Sequence, residues 1–134
     1  MNAIRAAHFI LYVRDQDASA RFYSRVLAIE PRLHVSGMTE FDVGGGAVLG
    51  LMPERGIVRL LGEPLGDPAA GSGVARAEVY LVVPDPDAYH QRALSAGARE
   101  LSAVAPRSWG HRVGYSSDPD GHVLAFAAPA EETR

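Results

Sequence analysis

The chain has 134 residues, and neither cysteine nor lysine is among them. Without cysteine there is no disulfide, no thiolate nucleophile, no Cys-ligated zinc and no iron–sulfur cluster. Without lysine there is no Schiff base and no lysine general base; all 13 basic residues are arginine. No stretch approaches the roughly 20 consecutive apolar residues that cross a bilayer, and the N-terminus lacks a basic-then-apolar signal pattern. Neither a membrane partner nor export is therefore expected, and the cytoplasm is the default location. The arginines are scattered and the net charge is −3, which argues against a nucleic-acid footprint.

What is present is apolar content: 47% of the residues are hydrophobic, too many for a disordered chain. A chain of this length buries roughly 65–70% of its unfolded surface and needs no staple to fold. It fits one domain, or two small halves sharing a core. His8–Val13 reads as a strand, Ala18–Leu27 as a helix that Asp15 and Asp17 can cap, and Pro31–Val35 as extended. Met38–Val43 and Ala47–Met52 read as strands joined by a tight Gly44-Gly45-Gly46 turn. Residues 53–75 are rich in Gly and Pro and read as a linker, with at most a local helical turn or edge piece at Ile57–Leu61. The order then repeats: strand Glu78–Val83, caps Asp85 and Asp87, helix Ala88–Ala96, a C-cap at Gly97, extended Ala98–Val104, strand Trp109–Ser116, a turn at Asp118–Gly121 and strand His122–Ala128.

Shifting the first half by 70 lays His8–Val13 and its Asp pair over Glu78–Val83 and its Asp pair. A shift of 75 lays Gly46–Leu49 over Gly121–Leu124. Such a repeat dictates architecture. The expected fold is α+β: two tandem β-α-β-β-β units, residues 1–52 and 76–128, joined by the linker 53–75 into one domain over 1–134. They are expected to form a cupped mixed sheet with helices on the outer face. Strand side chains alternate between faces. Phe9, Leu11 and Val13, like Val79, Leu81 and Val83, are the uniformly apolar sets and are assigned to the helices. His8, Ile10 and Tyr12, with Glu78, Tyr80 and Val82, then line the cup. The same parity puts Trp109, His111, Val113 and Tyr115 on the cup face opposite their repeat partners Met38 and Glu40, and turns Arg112 away. A single bulge would invert a face.

Several motifs read as structure. Asp118-Pro119-Asp120-Gly121 is turn chemistry. The three glycines at 44–46 precede no helix with Lys and Ser/Thr, so they form a hairpin and no phosphate loop. His34, His90 and His122 read as surface or capping residues. Trp109 and Tyr115 can form an aromatic wall, and a ligand pocket of Tyr12, Tyr80, Trp109, His111 and Tyr115 is expected.

His8–Asp15, Phe22–Ile29, Trp109-Gly110 and Asp118–His122 together resemble the vicinal oxygen chelate superfamily of glyoxalases, extradiol dioxygenases, and fosfomycin- and bleomycin-resistance proteins. The family usually has Gly where Ala28 stands. The resemblance implies that metal ligands come from the first and fourth strands of each unit, here His8, Gly50, Glu78 and Ala125. It also puts Tyr115 at the substrate, as in fosfomycin-resistance relatives. Only His8 and Glu78 can ligate, with Glu40 or His111 as supplementary donors, and a catalytic site needs three. The expectation is a family member with a degraded metal site that binds a small molecule, with no ion tightly held. The alternative is a lyase or isomerase resembling glyoxalase I, or a dioxygenase-like relative, with Zn, Ni, Mn or Fe as cofactor and Glu78 as the catalytic proton carrier. A third reading is an interaction module without a ligand. A homodimer is expected, as superfamily members commonly dimerise and closed twofold assemblies are commonest.

Overall fold

The computed structural model describes residues 3–71 and 73–132. In order these form β1 (Ala7–Val13), α1 (Gln16–Leu27), β2 (Leu33–Val35), β3 (Met38–Asp42), β4 (Ala47–Pro53), α2 (Glu54–Leu61), β5 (Glu78–Val82), α3 (Pro86–Ser95), β6 (Arg99–Pro106), β7 (His111–Ser117) and β8 (Val123–Pro129). The chain divides into two compact units. Of the described residues, 3–24 and 28–71 belong to the first, and 25–27 with 73–132 to the second. Each holds a four-stranded mixed sheet, ordered β1-β4-β3-β2 and β5-β8-β7-β6. In each, the first strand runs parallel to the fourth and the remaining pairs are antiparallel. The α+β repeat expected from the sequence is thus present. No helix among the described residues is long and apolar enough to cross a membrane.

The paired aspartates act as read. The Asp15 carboxylate accepts the Ala18 amide at 3.0 Å and that of Asp85 accepts the Ala88 amide at 3.2 Å, while Asp17 and Asp87 sit in the first helical turns. Capping starts both helices two residues before the expected positions, at Gln16 and Pro86. Their ends differ. Gly97 takes φ 105° without strain after α3, whereas Ala28 after α1 is held at φ 59°, ψ 38°. For an L-residue with a Cβ that conformation costs on the order of 1 kcal/mol.

The two faces of each sheet follow the expected parity. In the first unit Phe41, Leu49, Leu51 and Val13 are buried on the α1 side, where the Tyr23 ring lies 6.5 Å from that of Phe41. In the second, Leu124 and Phe126 are buried on the α3 side, and Tyr89 stacks obliquely on Phe126 at 5.4 Å. Each such side chain contributes roughly 1.5–3 kcal/mol by leaving water. Phe9 departs from the pattern: it shares the parity of the helix-facing set but is 63% exposed.

Other expectations need correction. The span after β4 is not a bare linker, because α2 runs for eight residues with Ile57 buried, and a short 3-10 turn follows at Pro68–Gly71. The Gly and Pro content of this span obscured a segment whose apolar residues recur at helical spacing. Trp109 is not in a strand: it lies in the turn between β6 and β7, where the Gly110 amide donates to the Arg107 carbonyl and Gly110 has φ 92°. The last strand starts at Val123, one residue late, because His122 is held by the preceding turn. His90 is no surface residue. It is buried, its Nε2 lies 2.8 Å from a Glu100 carboxylate oxygen, and its ring packs directly over Gly114.

Candidate functional site

Apart from Trp109, which lies in the β6–β7 turn, the sequence-derived site residues fall on the sheet faces turned away from α1 and α3, and each unit presents its own set. In the first unit, strand pairing aligns Ile10, Gly50 and Glu40 in one row, with His8 one pleat along β1. Glu40 is brought to His8: its Oε2 lies 3.6 Å from His8 Nδ1. Its other oxygen accepts from both Nε and Nη2 of Arg32 at 2.9 Å. The Arg32 amide also donates to the Glu40 carbonyl at 2.8 Å, which anchors the arginine beside the carboxylate. Sequence reading missed Arg32, although the register of the β2–β3 hairpin places it next to Glu40. A Cβ at Gly50 would lie 3.1 Å from Ile10 Cγ1 and 3.4 Å from Met38 Sδ, so these two side chains occupy the space over that glycine. Tyr12, two residues beyond Ile10 on the same strand face, is half-buried and pairs with Met52.

The corresponding row of the second unit is Tyr80, Ala125 and Tyr115. Ala125 is fully buried and, with Val113 and Ala127, forms an apolar floor against which both tyrosines pack. The small floor residues let the Tyr80 ring lean along the sheet. It stacks on His111, with 5.9 Å between centroids, and its hydroxyl lies 2.6 Å from His111 Nδ1. The Trp109 indole N–H donates to the same Tyr80 oxygen at 3.0 Å, although the Trp109 side chain is 56% exposed. Arg107 donates to the Val113 and Ala103 carbonyls and to Ser102 Oγ, and its guanidinium carbon stands 5.2 Å from the Tyr115 ring centroid. Burial, the Glu78 carboxylate and Tyr80 push the Tyr115 phenol above its ordinary value, against the opposing pull of Arg107. The Tyr115 hydroxyl is a neutral donor at physiological pH, as any phenol is, and the shift extends that state to higher pH. Glu78 itself is exposed at the start of β5.

The remaining motifs are structural. Arg112 lies on the α3 side, as expected, and pairs with Asp87 at 3.1 Å. Asp118, Asp120 and His122 bring ligand-type atoms within 4.8 Å of one another. There, however, one Asp118 oxygen accepts the Asp120 and His122 amides, and the other lies 2.9 Å from His122 Nδ1. That is the self-bonding of an Asp-Pro-Asp-Gly turn. His34 joins a clamp on the β2–β3 turn: its Nδ1 lies 2.6 Å from Thr39 Oγ1, and Gln16 bonds Thr39, the Val35 carbonyl and the Gly37 amide. Between α2 and the 3-10 turn lies a groove of about 370 Å³ lined by Glu54, Arg55, Val58, Arg59, Asp67 and Ala69.

Two like units, each a four-stranded mixed sheet with its first strand parallel to its fourth, define the class. Residues 5–126 match the family described as Glyoxalase/Bleomycin resistance protein/Dioxygenase superfamily. The chain belongs to that superfamily. Among solved structures it is similar to a glyoxalase-related enzyme from Fulvimarina pelagi, with 22% identity, a TM-score of 0.76 and coverage of 93% of this chain and 88% of that one. It is also similar to a glyoxalase/bleomycin resistance protein/dioxygenase family enzyme from Burkholderia phytofirmans, with 16% identity, a TM-score of 0.77 and coverage of 91% and 96%. At such identities the likeness speaks to fold. Over 54 residues, 40% of its length, the chain is 43% identical to uncharacterized proteins of Mycobacterium bovis and Mycobacterium tuberculosis. It spans only 36% and 32% of those relatives.

Proposed function

We propose that this chain is a small-molecule-binding member of the superfamily whose metal site is incomplete; the ligand-contacting residues are Tyr80, Trp109, His111 and Tyr115 on the second unit and, on the first, Tyr12. The observation that carries this reading is the state of the two fourth-strand positions that supply ligands in metal-dependent relatives. Gly50 lies under Ile10 and Met38, and Ala125 lies under Tyr80 and Tyr115. Neither offers a ligating atom, and both are covered by apolar or aromatic groups. His8 and Glu78 remain as weak metal-binding candidates. Glu40 is the natural supplement to His8 at 3.6 Å, but Arg32 already neutralises it. Such a donor set does not fit a tightly held ion. Aromatic side chains with a few convergent polar groups are what a small-molecule site requires. We further propose a homodimer, acting in the cytoplasm. In each sheet the two outer strands pair on one side only, and exposed edges favour partners.

The second reading, a metal-dependent lyase or isomerase with Glu78 moving the proton, draws on the His8–Glu40 proximity. A broad small-molecule panel tests the first reading, followed by melting temperature and by the fluorescence of Trp109, the single tryptophan. At least one chemical class is expected to raise the melting temperature and shift the emission. Failure of every compound would favour an interaction module.

A further inference from the structure

The hydrogen bonds around Tyr80 have a direction that follows from donor chemistry alone. An indole N–H can only donate, so the Tyr80 oxygen must accept from Trp109. A phenol oxygen has one proton of its own, and the other group within bonding distance is His111 Nδ1 at 2.6 Å. If Tyr80 donates to Nδ1, all three groups are satisfied within the chain. The alternative has Nδ1–H donating to Tyr80, which leaves the phenol proton with no protein partner among the described residues. The satisfied arrangement puts the imidazole proton on Nε2. That nitrogen makes no hydrogen bond within the described chain and belongs to a residue on the ligand face of the sheet.

We propose that Trp109, Tyr80 and His111 form a directional chain that fixes His111 as its Nε2–H tautomer. His111 thereby presents a donor to an acceptor oxygen of the bound molecule, a carbonyl or carboxylate, and does not serve as a metal ligand through Nε2. The clause about the ligand rests on the function proposed above; the tautomer does not. Coordination at Nε2 needs a lone pair there, so its proton would have to move to Nδ1 and the Tyr80 bond would have to reverse. Tyr80 and Trp109 are positioning residues in this scheme, and His111 is the contact. The exposed Trp109 side chain is held against the sheet by the same bond, which makes the chain both a tautomer lock and a clasp for the aromatic wall.

The test is imidazole nitrogen NMR on the ligand-free protein at mildly alkaline pH, before and after addition of zinc ion alone. In the wild type, His111 should show a protonated Nε2 and an unprotonated, hydrogen-bonded Nδ1, and zinc should leave both signals in place. In Tyr80→Phe the proton should distribute over both nitrogens, zinc should now shift the His111 signals, and Trp109 emission should move to the red as the indole meets water. Trp109→Phe keeps the Tyr80–His111 bond and should weaken the tautomer bias only in part. A wild-type His111 protonated on Nδ1, or one that takes up zinc as readily as Tyr80→Phe does, would overturn the proposal. These readings need no ligand, so they stand or fall apart from the panel screen.

Discussion

Three positions in each unit occupy the same places in the sheet and carry different chemistry. The first unit has Ile10, Gly50 and Glu40; the second has Tyr80, Ala125 and Tyr115. Both rows have a small residue on the central fourth strand, and in both a neighbouring side chain leans over it. In the first unit the covering groups are aliphatic and the row ends in a carboxylate held by Arg32. In the second the covering groups are tyrosines, one bonded to Trp109 and His111 and the other kept neutral near Glu78. One backbone plan has thus been given an ion-paired face and an aromatic, hydrogen-bonded face. Fold repeats; function resides in the side chains set on it.

The comparison breaks most visibly on the helix side of the sheets. Gly114 in the second unit corresponds to Thr39 in the first: His90 packs into the space over the glycine, whereas Thr39 fills that space with its own side chain, whose hydroxyl bonds Gln16 and His34. A Cβ at 114 would stand 2.6 Å from Val104 Cγ2 and 2.7 Å from His90 Nδ1. Gly114→Ala is expected to destabilise by about 2–3 kcal/mol, and thermal unfolding should show a drop of roughly 10 °C. An unchanged melting temperature would mean that His90 does not pack where it is described.

Charging the two small floor residues sharpens the contrast between the rows. Ala125→Glu forces a carboxylate beneath two tyrosines and is expected to cost about 3 kcal/mol. At Gly50 a Cβ alone would already stand 3.1 Å from Ile10 Cγ1, so Gly50→Glu must swing the flexible Ile10 and Met38 side chains aside; it is expected to cost less, about 1–2 kcal/mol. Both variants should bind divalent ions more tightly than the parent, as measured by isothermal titration with nickel or zinc. A larger loss for Gly50→Glu would mean that the tyrosines over Ala125 yield more readily than Ile10 and Met38 over Gly50.

These contrasts also mark what the sequence could disclose. The repeat, the strand faces, the Asp caps and the triple-glycine turn were legible because each depends on local spacing and residue type. The strand faces turned away from the helices follow from parity alone, and the pairing register within each sheet agrees, except at Trp109, which lies in a turn. Phe9 and His90 were misread because burial is a property of neighbours distant in sequence: His90 is buried only because Gly114 leaves it room. The helix α2 was hidden by glycine and proline around it. Arg32 on Glu40, and Trp109 and His111 on Tyr80, depend on side-chain reach and direction, which one-dimensional spacing does not encode.

Smaller effects follow. Ala28→Gly relieves the left-handed residue that ends α1, a strain absent at Gly97 after α3. It should stabilise by about 1 kcal/mol, readable as a higher urea midpoint. Tyr115 titrates above the ordinary tyrosine value, so the folded state holds its proton where the unfolded chain has lost it. Its contribution to stability is therefore complete below the unfolded value and declines as pH rises through the folded one. Glu78→Gln should move the Tyr115 phenolate transition, followed by ultraviolet absorbance, toward lower pH; no shift would remove Glu78 from that face.

The central claim is that neither fourth-strand position supplies a metal ligand and that the remaining donors do not retain an ion. Plasma emission analysis of protein purified without added metal and without chelator tests it directly. Zinc, nickel, manganese and iron should each fall well below one equivalent per chain. A full equivalent of any of them would contradict the incomplete-site reading and favour the metal-dependent lyase or isomerase.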